Sequence, residues 1–522
     1  MRKTIFKILL ILPLLILFCF PAFGAELYHK DLSGVNLHKP GAGIELAERY
    51  ASLNAAVSAI GSTATALIVS NFQTLTASLT VPSNIDLIIA KGGMIAKAYN
   101  YTLTINGGFE AGLYQVFSGF NAGDVNFGTG AADILPHWWG AIGDGTTDST
   151  VPIQSAYSAL PTSPANQAGG SIRYFSGKFK ITSPIDIPSA TVISAGDGPA
   201  RTVIYAVGCS AFTIKGGANT GSVFEKMYIL GDSSAAKSAF DTTPSTSSFI
   251  AAKIKWTNLR IGGFDRPFSI PQTQLCVFED LLVDGVSGKC IFYIHPASGT
   301  GQSSNSNRVS RCQFTGSNVQ MFDYALPTAT ERMANWAFRD CDIQFSGTAV
   351  PITYPDYNFV LENCEFENST AANLIKLTYS GTASTNYFTY IAGNQLLGGD
   401  GVTNAKIRIE GASPAIPCFI TLINNNAGSA SLKLIDINFD NGWEYPIVLI
   451  NNRGILGSNT NGRILAMGGD QSAGGGFDIP RISAPGAPPA DHGRFYVDTS
   501  GGKNRLMIRF PTGAAQQIAV EP

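Results

Sequence analysis

The sequence predicts an all-β solenoid, and three observations carry the prediction. A six-residue phrase recurs along the second half of the chain, clearest as Phe338-Arg339-Asp340-Cys341-Asp342-Ile343 and Leu361-Glu362-Asn363-Cys364-Glu365-Phe366. Each reads apolar, polar, turn residue, apolar, polar, apolar. Further copies run over Phe224–Ile229, Trp256–Ile261, Phe278–Val283 and Val309–Phe314, and looser ones over Ile391–Leu396, Ile423–Gly428 and Ile450–Ile455. Successive copies lie roughly 22 to 32 residues apart, the period of a stacked repeat rather than of separate domains. Helical periodicity is scarce, while short β runs are punctuated by Gly and Asn.

Within the phrase, strand alternation is interrupted by one extra residue. That residue shifts the phase so that both flanking strands point an apolar side chain inward. Its position holds Asn258, Asp280, Arg311, Asp340, Asn363, Gly393, Asn425 and Asn452. Asn and Asp are the non-glycine residues that best tolerate the left-handed backbone such a bend requires. The second and fifth positions then face outward. Each coil contributes one copy, stacked about 4.8 Å from the next.

Taken in order, the chain of 522 residues begins with a basic stretch (Arg2, Lys3, Lys7), an apolar run from Ile8 to Phe20, and the small residues Ala22 and Gly24 before Ala25. Residues 1–24 therefore read as a secretory signal peptide, placing the mature chain outside the cell. No later stretch is long and apolar enough to span a bilayer as a helix. Residues 25–130 read as an amphipathic helix over 45–60 followed by a β-rich cap or first coils. The strands expected there are Leu67–Val69, Ile85–Ile89, Leu103–Ile105, Tyr114–Phe117 and Val125–Phe127. A second short helix is expected over 151–160, capped by Thr150 with Pro152 in its first turn.

The stretch Trp139-Gly-Ala-Ile-Gly-Asp-Gly-Thr-Thr-Asp148-Ser-Thr, with the downstream strand Gly169-Gly170-Ser171-Ile172-Arg173-Tyr174-Phe175, resembles the opening segment of pectate-lyase-superfamily proteins. These include rhamnogalacturonase-like and epimerase-like enzymes and phage tailspikes. The resemblance covers about residues 131–210 closely and extends through the coil phrases to about 455. It implies a right-handed parallel β-helix over 131–480, acting on acidic or complex polysaccharide by lyase, hydrolase or epimerase chemistry. The family's polygalacturonase-type series (Asn-Thr-Asp, Asp-Asp, His-Gly, Arg-Ile-Lys) and its epimerase-type Asp-Pro-His-Asp are missing, so no catalytic residue carries over by name. Asp144 and Asp148 read as loop and cap residues.

Residues 481–522 read as a proline-rich linker and a small antiparallel meander of Arg494–Asp498, Arg505–Phe510 and Gln516–Val520. The meander is similar to C-terminal modules of tail-fibre-like proteins. A unit this small buries little core alone, which points to a partner for it, either the end of the helix or other subunits, as in a homotrimer assembled through the meander.

Composition narrows the partners. Charged residues make up 14% of the chain and the net charge is −2, so no broad basic footprint points to nucleic acid or an anionic membrane. With Cys19 in the leader, the mature cysteines are Cys209, Cys276, Cys290, Cys312, Cys341, Cys364 and Cys418. Their odd number argues against a complete disulfide framework. Cys312, Cys341 and Cys364 share one inward slot and read as a column of buried thiols, near enough for neighbours to bridge.

Two functional readings follow: a secreted enzyme gripping a uronate-containing polysaccharide along its outer face, and a non-catalytic glycan-binding or tail-fibre-like surface protein. Stacking the phrases places Arg339 beside Glu362 and Asp342 beside Glu365. Asp342 and Glu365 are the candidate catalytic carboxylates, since a retaining glycosidase uses a pair about 5–5.5 Å apart. Arg339 is the candidate group for a substrate carboxylate, or a neutralising partner for Glu362. With Glu362, the pair is also a candidate Ca²⁺ ligand set that could bridge a uronate. Trp138 and Trp139 are candidates for sugar stacking, against the competing expectation that they close the core.

Overall fold

A computed structural model describes residues 43–520, apart from 129–132, 162–168, 189–190, 215–220, 243–250, 287, 296–303, 326–332, 356–357, 381–386, 413–417, 430, 440–445, 461–462, 468–476, 479–493, 499–504, 511 and 513. The leader, the proline-rich linker and most of the turns between coils fall outside the described residues.

Strand pairing makes the chain a parallel β-helix. Among the described residues, one sheet of 21 strands runs from Asp133–Ile134 to Phe477–Asp478, and its neighbours pair in parallel except for the last, antiparallel contact. From Arg308 to Leu396 each coil enters this sheet with two strands, one on either side of the bend, whereas Lys255–Gly262 and Val277–Asp284 run through the bend as single strands. A second wall is built from Ile185–Ile187, Phe212–Ile214, Phe240–Asp241, Phe268–Ser269, Cys290–Ile294 and Gln320–Tyr324. A further parallel sheet begins with Ile352–Tyr354. Parallel strands joined this way take a right-handed crossover in nearly all cases.

In-register stacking puts like residues on top of one another inside. Phe212, Phe240, Phe268, Phe292 and Phe322 form a column with ring centroids 5.3–5.7 Å apart. Phe224, Trp256 and Phe278 form another, facing it. Each such pair adds about 0.5–1.5 kcal/mol beyond the area it buries, which helps fix the register of the coils.

The bend adopts the left-handed conformation expected of it. Asn258, Asp280, Arg311, Asp340 and Asn363 have φ between 51° and 55°, and Gly393 has 69°. Lys226 joins them at 57° in the first copy. In the last two copies the bend falls on Asn424 and Asn451, not on Asn425 and Asn452. The strand register explains the one-residue correction: Ile391 pairs with Leu422 and Leu422 with Leu449, so the phrase starts at the first residue of the Leu-Ile doublet.

Asn425 and Asn452 instead point inward, beneath Asn394, where all three are buried. Their amides form a ladder. Asn394 Nδ2 donates to Asn425 Oδ1 (2.8 Å), and Asn425 Nδ2 donates to Asn452 Oδ1 (2.9 Å). Each amide also donates to a backbone carbonyl of the preceding coil, respectively of Leu361, Ile391 and Leu422. Each Oδ1 accepts a backbone N–H from the same preceding coil, at Cys364, Asn394 and Asn425. The bend interrupts the sheet's own ladder, and the amide supplies both partners that are lost.

The N-terminal region departs from the expected single helix. Gly43–Leu46 is a strand paired in parallel with Thr65–Val69, Ala47–Arg49 is a 3₁₀ turn, and only Leu53–Ile60 is α-helical. Ser52 restarts the chain as a helix by accepting the Ala55 N–H (3.1 Å), and Gly61 ends it at φ +60°. Thr65–Val69, Phe72–Leu75 and Leu79–Val81 are each stacked in parallel by the strands that follow, forming a small three-sided solenoid through Val125–Phe127. The second helix spans Thr150–Ser158. Its N-cap is Ser149, while Thr150 is its first residue. Arg494–Asp498, Arg505–Arg509 and Gln516–Val520 form the antiparallel meander. Among the described residues no helix is long and apolar enough to cross a membrane.

Candidate functional site

The left-handed bends make a ridge along the outside of the large sheet, with a groove on each side. Before the ridge lies a groove of about 560 Å³ lined by Glu279, Arg308, Arg311, Arg339, Asp340 and Phe388, among others. Beyond it lies one of about 470 Å³ lined by Asp280, Leu282, Arg311, Gln313, Asp340 and Asp342, among others. Arg311 and Asp340, both on the ridge, border both grooves.

The register brings the expected pairs together. Arg339 pairs with Glu362 and Asp342 with Glu365 as direct neighbours on adjacent strands. Arg339 Nε lies 3.1 Å from Glu362 Oε2, so this arginine is engaged by its carboxylate. Asp342 Oδ2 accepts from Gln313 Nε2 (3.0 Å) and Gln344 Nε2 (2.9 Å), while its Oδ1 is buried without a hydrogen-bond partner. Gln344 also reaches Glu367 Oε2 at 3.4 Å. Among the described residues no ion pair joins Asp342, Glu365 or Glu367 to a base. The four residues do not share one groove: Arg339 opens on the first and Asp342 on the second.

Trp138 and Trp139 are not a sugar platform. They are 4% and 5% exposed and pack on Phe109, Phe117 and Phe127, with Trp138 4.8 Å from Phe109 and Trp139 4.9 Å from Phe117. Trp138 Nε1 donates to Gly112 O at 3.1 Å. Both rings seal the junction between the small solenoid and the main helix, leaving no face for a ligand.

The Ca²⁺ set is not assembled either. Among the described residues no three His, Cys, Asp or Glu side chains converge as metal ligands, and Glu362 is taken by Arg339. Asp144 accepts from the Thr146 and Thr147 amides and the Thr147 hydroxyl, which holds its carboxyl well below the usual carboxylate range. Partial burial pushes Asp148 up, but the Thr150 and Thr182 hydroxyls and the Thr150 amide outweigh it and hold it low. Both carboxylates are committed locally, and they sit not in a loop but at the two ends of the irregular strand Asp144–Asp148, which pairs with Gly177–Ile181 at the start of the main helix.

Cys312, Cys341 and Cys364 occupy the inward column that Asn394, Asn425 and Asn452 continue. All three are free thiols, as are Cys209, Cys276 and Cys290. Burial pushes the Cys312 and Cys364 thiols well above their ordinary value, so they are inert fillers of the column.

The phrase-based reading missed a clamp on the ridge. Arg311 makes a two-pronged contact with Asp280 (Nε to Oδ1 2.8 Å, Nη2 to Oδ2 3.0 Å), and its Nη2 lies 2.8 Å from Glu279 Oε1. Lys255 meets the other Glu279 oxygen at 2.7 Å. The Lys255 ammonium and then the Arg311 guanidinium hold the Glu279 carboxyl below its ordinary value. The phrase could have shown it, since Lys255 and Glu279 lie outward by strand alternation and Arg311 is the bend residue of the next coil.

No family model matches the sequence, and no curated protein matches it. Solved structures similar in shape include Geobacillus virus E2 ORF18, at 16% identity over 72% of this chain and 66% of that one, with a TM-score of 0.45. The gp42 tailspike of Acinetobacter phage vb_AbaP_AS12 matches at 11% identity over 77% and 78%, with a TM-score of 0.40. The A-module of Azotobacter vinelandii mannuronan C-5 epimerase AlgE6 matches at 14% identity over 65% and 98%, with a TM-score of 0.31. At these values the fold assignment rests on the strand pairing above.

Proposed function

We propose that this chain is a secreted, polysaccharide-active member of the pectate-lyase-like β-helix proteins, cleaving a uronate-containing glycan at Asp342 and Glu365. The observation that carries the proposal is the in-register pairing of those two carboxylates on adjacent strands, with no base beside either among the described residues. Paired parallel strands lie about 4.8 Å apart. That is near the separation of about 5–5.5 Å at which two carboxyl groups work by double displacement.

The surroundings suggest the division of labour. Two amide donors fix the Asp342 carboxylate, which suits it to attack the anomeric carbon. Glu365 has no such tether among the described residues and is free to place its proton on the glycosidic oxygen as that bond breaks. Water then displaces Asp342 from the glycosyl ester, with the Glu365 carboxylate taking the water's proton. The Gln344 link between Asp342 and Glu367 keeps a third carboxylate at the edge of the site.

A second reading, a surface protein that binds glycan without cleaving it, is favoured by one observation. The amides of Gln313 and Gln344 both spend themselves on Asp342, as in a self-contained surface network. A product assay on a panel of uronate-containing polysaccharides separates the two. Hydrolysis gives new reducing ends without an ultraviolet-absorbing unsaturated sugar. Appearance of that absorbance overturns the double-displacement reading, and binding with neither product establishes the second reading.

A further inference from the structure

We infer that the 560 Å³ groove before the ridge, lined by Arg308 and Phe388 and extended by the neighbouring Phe419, is a binding site for an anionic glycan lying along the helix axis. It rests on the reading above only for the class of ligand. The site is separate from the carboxylate pair, across the ridge.

Two features of the groove point to a ligand. Phe388 and Phe419 are 51% and 50% exposed and stand side by side, an apolar patch rather than an isolated exposed residue. They are direct neighbours on adjacent strands, so their rings rise from the surface one coil apart. The first lines the groove, and the second continues it toward the C-terminal end. The spacing of about 4.8 Å between coils approximates the advance per sugar along an extended polysaccharide, so successive rings can lie on successive aromatics. A Phe face accepts the C–H face of a pyranose as it accepts other apolar surfaces.

Charge supplies the second feature. Three arginines line this groove, Arg308, Arg311 and Arg339. Arg311 is engaged by Asp280 and Glu279, and Arg339 by Glu362. Arg308 is exposed, and among the described residues no carboxylate pairs with it. It stands in register with Ala337, which pairs with Val360, so an outward apolar floor separates it from the aromatic end. A guanidinium at one end and two stacking faces at the other match an oligosaccharide bearing a carboxylate. A neutral glycan would use the aromatics and leave Arg308 idle.

The test measures binding to the full chain carrying Asp342→Asn and Glu365→Gln, so that turnover cannot consume the probe. Hexamers of galacturonate and of mannuronate are titrated calorimetrically, with a glucose hexamer as the neutral control. At least one uronate hexamer is expected to bind, more weakly as salt rises and at least about tenfold more tightly than the glucose hexamer. Arg308→Gln is expected to weaken uronate binding about tenfold or more without changing glucose binding. Phe388→Ala with Phe419→Ala is expected to weaken both. All three positions are exposed, so circular dichroism should match the parent. The inference is overturned if neither uronate hexamer binds, if glucose binds as well as uronate, or if the substitutions leave affinity unchanged. Binding that survives while the unsubstituted chain shows no turnover would sink the cleavage reading and leave the groove standing.

Discussion

Replacing Asn425 by alanine should be among the most damaging single changes in the second half of the chain. Its side chain makes four hydrogen bonds: it accepts from Asn394 N (3.2 Å) and Asn394 Nδ2 (2.8 Å), and donates to Ile391 O (2.8 Å) and Asn452 Oδ1 (2.9 Å). Truncation strands the Ile391 carbonyl, the Asn394 N–H and one proton of the Asn394 amide in a buried column. Each unsatisfied group costs about 1–3 kcal/mol, so the loss comes to about 3–9 kcal/mol, less if water enters the vacated space. The effect should reach the candidate site, because Asn394 Oδ1 accepts the backbone N–H of Cys364 (2.8 Å), next to Glu365. Hydrogen exchange read by mass spectrometry should show faster exchange across 391–396 and 420–427, together with a lower unfolding midpoint in urea. Asn426→Ala removes two exposed contacts, its donation to Gln395 Oε1 (2.8 Å) and its acceptance of the Gly428 N–H (2.9 Å), groups that water can satisfy instead, and should cost no more than about 1 kcal/mol. If Asn425→Ala behaves like Asn426→Ala, the ladder is not what completes the bend.

Three further outcomes are expected. Trp138→Ala should lower stability by about 3–5 kcal/mol while leaving the affinity of the folded protein for glycan unchanged, as measured by thermal unfolding and calorimetry. The Glu279 carboxyl is depressed in the folded chain, so its contribution is fully present above the unfolded value of about 4.3 and is lost as pH falls through the lower folded value. The thermal midpoint of the parent should therefore fall more steeply below about pH 4.5 than that of Glu279→Gln. Deleting residues 485–522 should convert a trimer into a monomer by light scattering if the meander assembles the protein.

Most of the repeat was legible because the bend demands a particular chemistry. Asp340 and Asn363 announce a left-handed residue between two apolar ones, and the structure places both at φ near 55°. The slip at the last two copies has a physical source. Asn424-Asn425-Asn426 follows Leu422-Ile423, so the apolar doublet and the polar run each allow two registers. Starting the phrase at Ile423 put Asn425 at the bend and Asn426 in the inward slot, so either register leaves an asparagine inside. Only the hydrogen-bond deficit of the bend itself turns Asn425 inward. Likewise Ile44 and Leu46 fit a helical face, but an adjacent strand offers them a sheet, and Ser52 restarts the helix. Arg339, Glu362, Asp342 and Glu365 were paired correctly because outward residues stack at a fixed phase. Phe388 and Phe419 escaped notice because they precede the phrase, beyond its six positions.

The measurement that bears most directly on the proposed function is turnover of uronate-containing polysaccharide by Asp342→Asn and Glu365→Gln, each verified as folded by its circular dichroism spectrum. Loss of either carboxylate from a two-carboxylate site should reduce release of reducing ends by at least about a hundredfold. Both variants should nevertheless retain their affinity for uronate hexamers. If both fold and cleave like the parent, Asp342 and Glu365 are solvated surface charges and the proposed site is wrong.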